Sequence, residues 1–273
     1  MNIVKKITED MDRKKIDCST YQMRNFFTQL GDGFFQPIDI MNYIQHYKIV
    51  KLIKKHDIVV DMCCGRSLLC PFIKYHKKDI GEYIGVDICQ DNINEAKRLE
   101  EKKHGYSFLH KWININVIEM SNYISSNSVD MVVYTSSIEH MQPEWGEKSL
   151  EEAYKILKPN GTFILSFPNT IGDGYNVQYK AAHVYEWSYQ NIISALNKTG
   201  FTIEKSYGIF LPITEIKKLM EQKYPELLPF LNQIQEYIPN EFLSSIFSVP
   251  FPQESRETLV ICKKSSETSL FED

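Results

Sequence analysis

The stretch from Ile58 to Asp87 limits what this chain can fold into more than any other. Ile58-Val59-Val60-Asp61 is a short β-branched run ending in an acid. A passage through small residues, Cys63-Cys64-Gly65-Arg66-Ser67, leads into an amphipathic segment, and Tyr83-Ile84-Gly85-Val86-Asp87 is a second apolar run ending in an acid. This succession predicts a β-α-β unit whose first turn lies at the carboxyl end of a buried parallel strand. Small residues there let the backbone approach a ligand closely. The acid about 20 residues beyond the turn stands where a carboxylate accepts both hydroxyls of a ribose. The unit reads as a nucleotide-binding half-site.

A loop built for a pyrophosphate has three glycines. The matching positions here are Cys63, Gly65 and Ser67, which argues against a dinucleotide. Asp61 at the mouth of the loop would repel a phosphate and attract an ammonium or sulfonium group. The cationic S-adenosylmethionine fits that charge better.

The run Val60-Asp61-Met62-Cys63-Cys64-Gly65-Arg66-Ser67 resembles motif I of the class I S-adenosylmethionine-dependent methyltransferases, with Cys63 and Ser67 in place of two usual glycines. Tyr83 to Ile88 resembles the family's ribose-binding strand. Val129 to His140 resembles its fourth strand and following loop, and Ala153 to Phe163 its helix, Lys-Pro-x-Gly turn and fifth strand. These motifs stand in family order over roughly residues 56 to 209. The resemblance implies a Rossmann-like, mostly parallel α/β sheet of seven strands with an antiparallel last strand. It implies S-adenosyl-L-methionine as cofactor and S-adenosyl-L-homocysteine as product. Asp61, Cys63 and Gly65 would line the methionine end, Asp87 and Ile88 the ribose, and Asn114 or Ile115 the adenine, with Thr135 closing the cofactor site.

Strands and helices alternate from His56 onward, the pattern of a parallel sheet covered on both faces. Strands are expected at 57–61, 82–87, 107–113, 129–134, 161–167, 201–209 and 257–262. Helices are expected near 67–78, 91–103, 117–124, 147–158 and 188–199, with Gly161 and Gly200 stopping the last two. Residues 1–55 read as a helical N-terminal extension and 56–263 as the methyltransferase core. Six of the eleven prolines fall between Phe210 and Arg256, among short amphipathic pieces, so 210–256 reads as a helical insertion before the last strand, placed to act as a lid. The polar tail 264–273 reads as disordered.

Function should concentrate at the carboxyl ends of the strands. The loop Tyr134-Thr135-Ser136-Ser137-Ile138-Glu139-His140 lacks the Asp/Asn-Pro-Pro-aromatic tetrapeptide of enzymes that methylate exocyclic amines of DNA bases. The Pro-Cys nucleophile of cytosine C5 enzymes is also missing. Glu139-His140 resembles small-molecule methyltransferases instead, which makes His140 a candidate for the pocket. His183, just before an aromatic stretch and a helix, is the candidate general base for a hydroxyl or ammonium acceptor. Asn169, Tyr175, Tyr179 and Trp187 are candidate acceptor walls, around a stretch that reads as a mobile loop, and Tyr21, Phe34, Phe35 and Gln36 would reach the pocket from the extension.

Six cysteines, at 18, 63, 64, 70, 89 and 262, show neither disulfide-framework nor metal-binding spacing, and no Asp/His/Glu run has metal-ligand spacing, so no metal is expected. A formal net charge of -4 leaves no overall electrostatic footprint for nucleic acid. No apolar run is long enough to span a bilayer, and the charged N-terminus lacks the apolar core of a secretion signal, so a cytoplasmic location is expected. The reading is therefore a methyltransferase that modifies an oxygen or nitrogen of a small-molecule acceptor. Two others remain beside it: an RNA or protein acceptor, which requires a basic face at the strand ends, and a catalytically silent module of the same fold.

Overall fold

A computed structural model describes residues 37–76, 78–102, 104–170 and 183–266. Helix α1, Pro37–Leu52, opens the described chain, with proline at a first-turn position where its missing N–H costs nothing. Strands β1, Ile58–Met62, and β2, Glu82–Asp87, pair in parallel with α2, Leu69–Tyr75, between them. Helix α3, Gln90–Lys102, leads to β3, Leu109–Asn114. A 3₁₀ turn, Val117–Asn122, then leads to β4, Val129–Thr135, which pairs with the other side of β1. Helix α4, Pro143–Ile156, strand β5, Leu157–Pro168, helix α5, Tyr189–Thr199, and strand β6, Phe201–Phe210, continue the alternation. After the 210–256 segment the chain returns as β7, Glu257–Lys264, antiparallel to both β5 and β6.

The strand order is β3-β2-β1-β4-β5-β7-β6, so the implied seven strands with an antiparallel last one are all present. The order reverses between β1 and β4. That is the point of an open α/β sheet where the loops part and a ligand can enter.

The pleat sends successive side chains to opposite faces, and each face has its own core. Val60, Met62, Ile84, Val86, Val132 and Tyr134 pack under α4 and α5. Val59, Tyr83, Met131 and Val133 pack under α1 and α2. By the same alternation Asp61, Gly85 and Asp87 fall on the second face.

Two sequence expectations are corrected here. Gly161 does not stop a helix: α4 ends at Ile156, Leu157 is already extended, and Gly161 lies inside β5. A side chain there would stand 2.8 Å from the Lys158 carbonyl oxygen, so the glycine serves a close approach within a kinked strand, and Asn160 takes the left-handed conformation with φ 61°. Gly200, at φ 102°, does cap α5 as expected. The stretch expected as a helix at 117–124 is a 3₁₀ turn, started by the Asn116 side chain accepting from the Ile118 N–H.

The inserted segment contains α6, Ile213–Lys223, α7, Leu228–Ile234, and α8, Asn240–Ile246. It has a small core of its own built on Leu211, Ile216, Met220, Leu231, Leu243 and Phe251. Helix α8 packs against α1 and β6. Gly208 allows this, because a Cβ there would stand 2.2 Å from the Ser248 carbonyl oxygen. No described helix is long and apolar enough to cross a membrane.

Candidate active site

All three positions that match the usual glycines hold left-handed backbone, Cys63 at φ 53°, Gly65 at φ 53° and Ser67 at φ 55°. The loop therefore keeps its path although two of the residues carry side chains, at a cost of about 1–2 kcal/mol each. Ser67 recovers part of that: its buried hydroxyl accepts from the Trp112 indole N–H at 2.6 Å. Gly85 completes the fit. A Cβ there would stand 2.7 Å from the Trp112 ring and 2.9 Å from the Cys64 sulfur, so the loop lies flat on β2 only because this residue is glycine.

Two buried acids frame the loop. Asp87 accepts from the Gly65 and Cys89 backbone N–H groups, both at 2.8 Å, and from the Asn92 amide at 3.2 Å. Burial pushes its carboxyl up, and these three donors pull it back. Asp61 accepts from the Tyr83 hydroxyl at 2.7 Å. Burial raises its carboxyl to about 7, the Tyr83 bond opposes the rise, and the nearby Asp87 charge adds to it. The crevice is thus acidic, and among the described residues the donors to its two carboxyls are neutral. A ligand carrying a sulfonium and an ammonium matches it, and a phosphate does not.

The other expected cofactor positions surround this loop. Asn114, at the end of β3, donates its amide to the Asp87 and Ile88 carbonyls at 3.0 and 2.9 Å, clamping the two strand ends together. Ile115 is half-buried against the first core. Thr135 ends β4, its carbonyl accepting from the Ser137 hydroxyl at 2.8 Å.

Beyond β4, a short 3₁₀ turn, Ile138–His140, brings His140 against His183, with ring centroids 5.2 Å apart and the rings nearly perpendicular. The His183 Nδ1 is 2.5 Å from an oxygen of Glu186, whose side chain is 2% exposed. Glu139, equally buried, has an oxygen 3.8 Å from the His140 Nε2. The Tyr134 hydroxyl, buried between the two loops, feels both Cys63 and Glu139, which raise it further beyond the effect of burial.

Asn169 uses its side chain as a junction: its amide donates to the Gln253 and Ser255 carbonyls, and its oxygen accepts from the Tyr189 N–H. Trp187 is buried in the first core, edge-on to the Tyr185 ring. Tyr21, Tyr175 and Tyr179, with Phe34, Phe35 and Gln36, lie outside the described residues. Sequence reasoning missed Tyr83, Glu186 and the Trp112–Ser67 bond. The first two had a signal: Tyr83 shares its strand face with Asp87, and Glu186 follows His183 by three residues. The pairing of Glu139 and His140 with His183 joins distant stretches and gave none.

Residues 60–165 match the methyltransferase domain family. A probable S-adenosylmethionine-dependent methyltransferase of Mycolicibacterium smegmatis is 25% identical over 170 residues, 58% of this chain and 62% of the relative. The ubiquinone/menaquinone biosynthesis C-methyltransferase UbiE of Rickettsia prowazekii is 24% identical over 172 residues, 55% of this chain and 63% of the relative. The match thus spans less than two thirds of either relative. Among solved structures, the 1,6-didemethyltoxoflavin-N1-methyltransferase of Burkholderia thailandensis, crystallised with 1,6-didemethyltoxoflavin and S-adenosylhomocysteine, superposes with a TM-score of 0.53. It is 15% identical and the alignment covers 88% of this chain and 85% of that one. Fold, motif order and family match agree: residues 60–165 are a class I S-adenosylmethionine-dependent methyltransferase domain.

Proposed function

We propose that the chain transfers a methyl group from S-adenosylmethionine to an oxygen or nitrogen of a small-molecule acceptor. The observation that carries this reading is the pairing of Asp61 and Asp87 on one face of the sheet, beside a loop whose backbone has the left-handed turns of the glycine-rich original. Bound there, the cofactor supplies an electrophilic methyl group on a sulfonium. The chain's own residues bind and align it. The Asp61 carboxylate offsets its positive charge, Asp87 ties the loop through Gly65 and offers its carboxylate to the ribose, and Asn114 or Ile115 borders the adenine.

The acceptor enters on the other side of the β1/β4 switch, where His140 and His183 meet the atom to be methylated. In-line displacement demands alignment above all, and Glu186 holds the His183 ring in one orientation. The segment 210–256 would cover the acceptor from the β6 edge. The small-molecule assignment draws support from the overall negative charge and the missing nucleic-acid motifs, and from the 1,6-didemethyltoxoflavin-N1-methyltransferase that shares the fold.

The test is incorporation of labelled methyl groups from S-adenosylmethionine into separated metabolite, RNA and protein pools by the purified full chain. Label in the metabolite pool, lost in His183→Ala while S-adenosylhomocysteine still binds, is the expected result. Label confined to RNA or protein overturns the acceptor class, and no label in any pool overturns the activity.

A further inference from the structure

Glu139, His140 and His183 each bring one ligand atom within 4.8 Å of the others. They come from two loops that the main chain locks together: the Val184 and Tyr185 N–H groups both donate to the Glu139 carbonyl, at 2.7 and 3.1 Å. The cluster is therefore held by backbone and does not depend on its side chains gripping one another.

A second observation comes from Glu186. It is 2% exposed, one oxygen accepts from the His183 Nδ1 at 2.5 Å, and the other, Oε2, is buried without a hydrogen-bond partner among the described residues. A carboxylate on the far nitrogen of a ligating histidine is the usual device that orients such a ring toward a metal.

We propose that Glu139, His140 and His183 bind one divalent transition-metal ion, with Glu186 as the positioning residue behind His183. Two imidazoles and a carboxylate suit zinc, manganese or iron(II), and leave further positions open to an acceptor oxygen. Two ligand atoms each about 2.1 Å from a tetrahedral ion stand about 3.4 Å apart. The 3.8 Å between Glu139 Oε1 and His140 Nε2, and the separations of up to 4.8 Å across the cluster, would close to that by side-chain movement on binding. With Nδ1 committed to Glu186, His183 ligates through Nε2. Metal binding rests on this geometry alone. Its role rests on the function proposed above: an ion here fixes an acceptor hydroxyl next to the cofactor loop and makes it more acidic, the task that sequence reasoning gave to His183 as a base.

The experiment strips the full chain with a chelator and titrates it with zinc, then with cobalt(II) followed by its visible absorption. One equivalent should bind. His140→Gln and Glu139→Gln should each weaken binding at least about 100-fold, and Glu186→Gln about 10–100-fold, with circular dichroism reporting that the fold persists. His140 is only partly buried, so its variant decides the question should Glu139→Gln unfold. A wild-type chain that binds neither ion, or a folded His140→Gln that binds as tightly as wild type, overturns the proposal. S-adenosylhomocysteine titrated into the same samples separates the two readings. Cofactor binding without metal binding removes the metal site alone, and metal binding without cofactor binding removes the methyltransferase reading alone.

Discussion

Asp61 and Asp87, at the carboxyl ends of β1 and β2, are held by neutral donors: a phenol, two backbone N–H groups and a side-chain amide. Glu139 and Glu186, beyond β4 and before α5, are equally buried but lie against histidine rings. The difference separates two kinds of work. Among the described residues the first pair has only neutral hydrogen-bond donors, and burial with the neighbouring acid raises Asp61 to about 7. Under the proposed function it receives a cationic ligand from outside. The second pair comes with its own nitrogen bases, which suits handling the acceptor's reacting atom.

The sharpest way to break this comparison is to cut the first pair and watch the second. Asp87→Ala leaves the Gly65, Cys89 and Asn92 donors without their acceptor, so cofactor binding should fall at least about 100-fold, with a stability loss of about 2–4 kcal/mol. Zinc binding at the histidine cluster should be unaffected while the fold holds. Calorimetry with S-adenosylhomocysteine and with zinc checks both arms.

The converse change comes next. Glu186→Gln removes the carboxylate behind His183, and turnover in the methyl-incorporation assay should fall about 10–100-fold, while S-adenosylhomocysteine affinity stays within about 2-fold. A matching drop in cofactor affinity would mean that the two regions are not separate.

Asp61→Asn should move stability and binding in opposite directions. The amide oxygen can still accept from Tyr83, but the buried charge is gone, so near pH 8 the ligand-free chain should gain about 1–2 kcal/mol. The cofactor should bind at least about 10-fold more weakly. Thermal melts and calorimetry on the same sample read both signs.

The smallest effects distinguish the two residues standing in for glycine. Cys63→Gly relieves left-handed backbone but gives up a partly packed thiol and gains unfolded-state freedom, so it should be neutral within about 1 kcal/mol. Ser67→Gly relieves the same strain and strands the Trp112 N–H, so it should cost about 1–2 kcal/mol. Equal effects would show that the Trp112 bond contributes nothing to the loop.

The same contrast explains what could be read from the sequence. The first region is local: two β-branched runs, a turn of small residues and an acid at the right interval lie within one β-α-β unit, so the places of Asp61, Gly65 and Asp87 at the strand ends and in the turn could be read before any coordinates. The seven strands and the antiparallel last one followed from the alternation of elements and the family resemblance, while the strand order came from the structure. The second region joins Glu139 and His140 to His183 across α4, β5 and the residues that follow, and no spacing rule connects them. Trp187 and Asn169 were read as acceptor walls, and what the structure shows of them is packing and backbone contact. A buried indole in the core and a side-chain amide clamping three segments depend on tertiary packing, which periodicity does not carry. The Gly161 reading failed for a related reason: a glycine after a helix pattern looks like a stop signal, and only the kinked start of β5 reveals the close approach to Lys158.

The most direct test follows the proton on Asp61. Its carboxyl sits at about 7 in the folded chain, against about 3.9 unfolded. The ligand-free protein therefore holds a proton that the unfolded chain has lost, and stability falls as pH rises from about 4 through 7. A cation beside Asp61 reverses this by favouring the carboxylate, so binding S-adenosylmethionine expels that proton. Calorimetry of S-adenosylmethionine binding at about pH 6 and about pH 8, in buffers of different ionisation heat, should show one equivalent bound, proton release at the lower pH and tighter binding at the higher. Binding that is absent at both values, or that weakens as pH rises, would contradict the assignment of these carboxylates to a positively charged methyl donor.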